Sequence, residues 1–152
     1  MIETAKRENI VFTMATKFRY CEDVVKAKAI IASGMLGDII LFENAFTAKV
    51  DMSKRWNSDK KIAGGGVLID NGTHSVDIIR YFLGAITDVL AVETSRTQNI
   101  SVDENVKLLA RTEKGVVASV DLTWGINKEL PALYLGLWHE RNAPYRLARI
   151  EV

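Results

Sequence analysis

Gly64-Gly65-Gly66-Val67-Leu68-Ile69-Asp70-Asn71-Gly72-Thr73-His74-Ser75-Val76-Asp77-Ile78-Ile79-Arg80-Tyr81-Phe82-Leu83-Gly84 is the stretch on which the reading of this chain turns. Apolar residues recur through it every three or four positions and glycines bracket it. The spacing predicts a helix from Gly65 or Gly66 to Leu83, stopped by Gly84. Val76, Ile79, Phe82 and Leu83 are expected to pack inward, while Asp70, His74, Asp77 and Tyr81 fall near another face. Asp70 and His74 stand one helical turn apart, so they share a face within reach of a hydrogen bond. A carboxylate that holds an imidazole in one tautomer lets it act as general base or acid near neutral pH. The competing reading is a surface pair worth a few tenths of a kcal/mol. Gly72, in mid-helix, costs about 1 kcal/mol against Ala, which points to close approach by another backbone or a ligand.

Upstream, residues 2–8 read as the tail of a helix and Ile10 to Thr16 as a short apolar strand. Glu22 to Ser33 reads as an amphipathic helix with Val24, Val25, Ala27, Ile30 and Ile31 as its buried stripe and Gly34 at its end. Ile39 to Val50, rich in β-branched and aromatic residues, reads as a strand. Asp51 to Ala63 is a polar loop carrying Trp56, which is either a satellite core anchor or a lid over a site. Downstream come strands at about Thr87 to Ser95, Val106 to Thr112 and Val116 to Trp124, the last two joined by a Glu113-Lys114-Gly115 turn. Leu133 to Leu137 is a candidate further strand. Helices followed by a run of strands imply an α+β fold, with helices packed on one face of an open, predominantly antiparallel sheet.

The 152 residues suffice for one cored domain; apolar residues make up 48%, charged residues 26%, and the net charge is +1. Nothing in that balance calls for nucleic acid or a membrane surface, and no apolar run approaches the ~20 residues of a membrane span. The polar start, Met1 to Asn9, argues against a secretory signal. With the lone Cys21, which lacks activating neighbours, it gives the expectation of a cytoplasmic protein. Two histidines, with His139 remote from His74, and no cysteine pair leave no metal-site pattern. The triple glycine matches neither G-x-G-x-x-G nor a P-loop, so the chain carries no nucleotide-binding fingerprint. Lys17 and Arg19 flank the end of the first expected strand, either beside a cleft or as solvated surface charges.

Lys17-Phe18-Arg19-Tyr20, the helix end Ser33-Gly34-Met35-Leu36-Gly37-Asp38-Ile39, the strand, Trp56 and the Gly64–Gly84 block together resemble the Gfo/Idh/MocA family of NAD(P)-dependent sugar and inositol oxidoreductases. The resemblance covers about residues 2 to 131, and the Gly64–Gly84 block is its specific part. It implies that Asp70 and His74 match the family's D-x-x-x-H. His74 would then take the proton of a substrate hydroxyl as general base, with Asp70 orienting it. Arg19, Lys17, Trp56, Asn71 and Asp77 follow as candidates for lining the substrate site. The implied substrate is a sugar, nucleotide sugar or cyclitol oxidised at a secondary alcohol; Lys54, Arg55 and Lys60 are candidates for the phosphates of a nucleotide sugar by their charge alone. The implied cofactor is NAD or NADP in the full-length protein.

The chain departs from the family at both ends. It lacks the Rossmann fingerprint and the family's Glu-Lys-Pro lysine, so residues 1–16 are expected to be the end of a Rossmann domain that is otherwise absent. Residues 17–152 are then a substrate-binding and oligomerisation domain, with 131–152 a divergent tail, and this half alone is expected to bind no cofactor and to be inactive. In the tail, Trp138-His139-Glu140-Arg141-Asn142-Ala143 stands where members have a Gly-Thr-x-Gly-Thr turn. Read one nucleotide later, those codons permit Gly-Thr-(Asn or Ser)-Gly-Thr. A frame slip and a divergent tail are thus both open, and a stop codon in the shifted coding frame would exclude the former. Strands such as Val116 to Leu122 offer apolar or small side chains on both faces, which predicts a homo-oligomer through the open sheet face. The alternative to an enzyme piece is a non-catalytic ligand-binding or oligomerisation module.

Overall fold

The computed structural model describes residues 1–126, 128, 133–139 and 150–151. Helix α1 (Ile2–Arg7) leads through an extended segment to a 3-10 turn (Lys17–Tyr20) and α2 (Glu22–Ala32); then follow β1 (Ile39–Thr47), a 3-10 turn (Trp56–Ser58), α3 (Lys60–Ala63) and α4 (Val67–Leu83). The chain closes with β2 (Ile86–Glu93), β3 (Asn105–Thr112), β4 (Val117–Thr123), β5 (Leu133–His139) and β6 (Ile150–Glu151). One sheet holds all the strands in the order β2-β3-β4-β1-β5-β6. Its pairings are antiparallel apart from β1 with β4. That parallel pair is possible because α4 and two strands lie between them in sequence, giving the long connection a parallel neighbour needs.

Alternation along the strands separates two faces. Phe42 and Phe46 of β1 sit opposite Ala118 and Leu122 of β4, and Val106, Leu108 and Ala110 of β3 continue the same face. These side chains form the core with Val67, Ile78, Ile79, Phe82 and Leu83 of α4 and Val24 and Ala27 of α2. The apolar stripe of α4 is thus what closes the sheet, and α2 packs at its edge. The other face is mixed. Lys107 bridges Ser119 and Asp121, and Lys128 reaches the same carboxylate. Beside this polar cluster Leu90, Val92 and Leu109 stand 59%, 51% and 39% exposed.

Several expectations change. Ile10 to Thr16 is no strand: it pairs with no other strand among the described residues, and Val11 is 95% exposed. Without a strand beside it an extended segment cannot satisfy its backbone in a ladder. On α2 the stripe is narrower than expected, with Val25 and Ile30 exposed and Val24 and Ala27 buried. The polar loop contains the Trp56–Ser58 turn and α3, the latter capped by the Asp59 carboxylate on the Lys61 amide. Gly72 is approached by side chains rather than by another backbone: a Cβ there would lie 3.1 Å from a methyl of Leu122 on β4 and from one of Leu68, so both would have to give way. The expected break after Pro131 falls largely outside the described residues, although β5 does run through Trp138 and His139.

Candidate functional site

The amino end of α4 is built by a residue far away in sequence. A Cβ on Gly66 would sit 1.9 Å from the carbonyl oxygen of Asp103, so only glycine fits there. The Asp103 carboxylate accepts from the amides of Gly66 (2.7 Å) and Leu68 (2.8 Å), and its carbonyl accepts from Val67 (2.9 Å). This carboxylate satisfies helix donors that would otherwise be open and suits the positive end of the helix dipole. It also fixes where the helix starts, and hence where Asp70, Asn71 and His74 emerge.

Asp70 and Asn71 emerge at a cleft of about 310 Å³, with Arg55 on its polar wall and Phe18, Phe46 and Trp124 on its apolar wall; His74 stands behind that wall, against Phe18 and Phe46. The His74 ring meets Phe18 edge-on at 4.9 Å and Phe46 at 6.2 Å. Its Nδ1 is buried with no hydrogen-bond partner. The Asp70 carboxylate accepts from Asn57 Nδ2 at 3.4 Å, and no hydrogen bond joins it to His74, contrary to the sequence expectation. Shared helical face is necessary for that contact but does not fix rotamers, and here the side chains turn to different neighbours. An orphaned buried nitrogen costs about 1–3 kcal/mol, a price native proteins tolerate mainly where chemistry uses the group.

Arg19 and Asp77 are brought together elsewhere. Arg19 Nε donates to Asp77 Oδ2 at 2.9 Å and its terminal nitrogen donates to Oδ1, a two-point ion pair. The guanidinium also stacks 5.3 Å from the Tyr81 ring centroid. The guanidinium holds the Asp77 carboxyl below the ordinary carboxylate range; burial opposes this, and a hydrogen bond from Thr16 adds to it. The pair lines a second, larger hollow of about 800 Å³, with Arg80 and Tyr81 beside it and Val89, Ala91 and Leu108 opposite. Lys17 is exposed with its ammonium 5.2 Å from the Phe18 ring centroid. Trp56 is 68% exposed and is therefore no core anchor. Of the three basic residues considered for phosphates, Arg55 lines the smaller cleft and Lys54 and Lys60 do not.

The sequence reading passed over Asn57, Gln98, Asp103 and Glu104. The fully buried Glu104 accepts from the Thr97 amide and hydroxyl (both 2.6 Å) and from the Gln98 amide (3.1 Å) and Nε2 (2.8 Å). Burial works against its charge, yet these donors outweigh it and hold the carboxyl below its usual range. An acidic pair directly before the apolar run of β3 was the available signal.

At the start of α4 the amides of Gly66 and Leu68 are already taken by Asp103, so this glycine-led helix end offers them to no phosphate. Among the described residues no three His, Cys, Asp or Glu side chains gather as for a metal, and no helix is long and apolar enough to cross a membrane.

Residues 24–135 match the GFO/IDH/MocA C-terminal domain. The chain belongs to the Gfo/Idh/MocA family. A relative in that family, levoglucosan dehydrogenase of Pseudarthrobacter phenanthrenivorans, is 28% identical over 150 residues, a match covering 81% of this chain and 38% of that protein. The solved levoglucosan dehydrogenase in complex with NADH and L-sorbose superposes with a TM-score of 0.79 at 22% identity, over 99% of this chain and 49% of that one. WlbA dehydrogenase from Bordetella pertussis, in complex with NADH and UDP-GlcNAcA, gives 0.80 at 16% identity, over 92% and 44%. At these identities the two structures share the fold, and the chain spans less than half the length of the curated relative. The α+β fold with helices against one face of a predominantly antiparallel sheet is thus that of the family's C-terminal domain.

Proposed function

We propose that this chain is the substrate-binding part of an NAD(P)-dependent oxidoreductase acting on a secondary alcohol of a sugar, nucleotide sugar or cyclitol. The observation that carries the reading is His74, with its buried, unpartnered Nδ1, beside a cleft walled by Asp70 and Asn71. Phe18, Phe46 and Trp124 offer apolar surface for the C–H faces of a sugar ring, while Asp70, Asn71 and Arg55 offer hydrogen-bonding groups for its hydroxyls. In this reading His74 accepts the hydroxyl proton and Asp70 orients substrate or imidazole on closure. A nicotinamide cofactor in the full-length protein would supply the hydride acceptor. Arg19 and Asp77 hold the 3-10 turn that carries Phe18 onto α4. Lys17 and Trp56, both exposed, are kept as contacts to substrate or to a companion domain.

Residues 1–16 fit the end of a cofactor domain and 17–152 the substrate domain. In support, Ile10, Val11, Phe12 and Met14 are at least half exposed, an apolar surface that a companion domain would cover. The open face, with Leu90, Val92 and Leu109, favours a second role as a subunit interface, in a protein working in the cytoplasm. Two measurements on the isolated chain test these readings. Titration with aldoses, anhydrosugars and cyclitols is expected to shift the NMR signals of Asp70, Asn71 and Trp124, and shifts confined to Arg19, Asp77 and Tyr81 would refute the assignment. Sedimentation at high concentration is expected to show a dimer or larger species, and a monomer throughout would remove the interface.

A further inference from the structure

Two loops distant in sequence are tied together around the cleft. Met52, 1% exposed and part of the cleft wall, donates its amide to Gln98 Oε1 at 2.9 Å. Six residues on, the Ser58 carbonyl accepts from Ser101 Oγ at 3.1 Å, and the Lys60 amide donates to the same hydroxyl at 2.9 Å. Between these anchors lie Arg55, which lines the cleft, and Asn57, whose amide reaches Asp70. Within the segment the bonds are short-range: the Arg55 amide on the Met52 carbonyl at 3.1 Å, the Ser53 amide on Asp51 Oδ1 at 2.9 Å and the Ser58 hydroxyl on the Arg55 carbonyl at 2.7 Å. Beyond the buried Met52 side chain and the Asn57–Asp70 contact, its ties to the rest of the fold run to Gln98 and Ser101, on the 97–104 side.

That side is organised by one buried carboxylate. All four donors to Glu104 come from Thr97 and Gln98, which are the residues that present Gln98 Oε1 to Met52. A second observation points the same way. A Cβ on Gly125 would lie 2.5 Å from both Glu104 Oε1 and Thr97 Oγ1, so the chain keeps that place clear for the carboxylate.

We infer that Glu104 is a positioning residue of the candidate site: through Thr97 and Gln98 it holds the 52–58 loop, and so sets Asn57 against Asp70 and Arg55 along the cleft. Its neighbour Asp103 anchors the opposite wall by capping α4, so consecutive acidic residues fix both sides of the cleft from one strand end. The inference rests on the proposed function only in calling the cleft a site. Glu104 is too deeply buried to touch substrate, and it acts through the loop.

The test reads the Asn57 side-chain amide pair and the Trp56 indole signal by NMR in the intact chain, with no ligand present. Glu104→Gln and Gln98→Ala are both expected to shift these signals and to lose the protection of the Asn57 amide, although neither residue touches Asn57 or Trp56. Signals of Ile79 and Phe82 in the core are expected to stay in place, as are all of these in Lys107→Ala on the open face. If Glu104→Gln does not fold, Thr97→Ala decides, because it removes the hydroxyl donor to Glu104 and leaves the Gln98 link to Met52 in place, so the same signals are expected to shift. Folded variants with Asn57 and Trp56 signals at their original positions would overturn the inference. That outcome would leave the proposed chemistry of His74 untouched, since no substrate enters the measurement.

Discussion

The two hollows beside α4 differ in what their polar groups do. In the larger one, Arg19 and Asp77 neutralise each other through a two-point ion pair and Tyr81 covers the guanidinium. In the smaller one, Asp70 has a single long contact to Asn57, and behind its aromatic wall His74 keeps a buried nitrogen without a partner. Asp70, His74, Asp77 and Tyr81 lie on one helix at helical spacing, so periodicity alone treats them alike. The difference teaches that saturated charges hold a fold together, whereas polar groups left unsatisfied at a stability cost are the ones available for chemistry.

The severest way to disturb this contrast is to remove the common frame. Gly66→Ala forces a methyl into the Asp103 carbonyl and displaces the cap of α4. A loss of about 3 kcal/mol or more is expected in urea unfolding, from overpacking plus the lost cap. A loss within the ordinary helix range would show that the backbone contact yields easily.

A smaller effect is expected at the saturated pair. Asp77→Asn leaves a half-buried guanidinium with a neutral partner, and should cost about 1–2 kcal/mol near neutral pH. The unfolded carboxyl titrates near pH ~3.9 and the folded one lies lower. The contribution is therefore complete above that pH and is lost as pH falls through the folded value. Stability of wild type and Asp77→Asn, followed by urea midpoints, should accordingly converge in acid. A gap that persists unchanged at the lowest pH would assign the cost to packing.

The smallest effect is expected where the contrast is sharpest. His74→Leu removes an orphaned nitrogen from between Phe18 and Phe46, so stability should stay the same or rise by up to about 1 kcal/mol. A clear destabilisation would mean that the imidazole is a structural group like Asp77.

What was legible in the sequence follows the reach of each signal. The helix from Val67 to Leu83 was readable because its period and bracketing glycines are local, and Gly84 does stand at its end. The turn between β3 and β4 was equally local, with Gly115 at φ +81° supplying the left-handed residue. The parallel partnership of β1 and β4 was not readable, since more than sixty residues separate them and no local pattern marks it. Ile10 to Thr16 carried a strand pattern without a partner to realise it. At the site, spacing placed Asp70 and His74 on one helix but could not tell that Asn57 would take the carboxylate. Nor could it tell that Asp103 and Glu104, some thirty residues on, would build both walls. Those contacts depend on loops brought together by the sheet, and they become visible only when the chain is folded.

The central claim is that His74 handles the substrate proton, and one measurement meets it directly. Joined to the proposed cofactor half, the chain is assayed for sugar-dependent reduction of NAD(P)+ as wild type and as His74→Leu, at a pH where both are folded. The account predicts a fall in kcat of about 10²–10⁴, the range for losing a general base, with stability unchanged. A His74→Leu enzyme that keeps the wild-type kcat would contradict it.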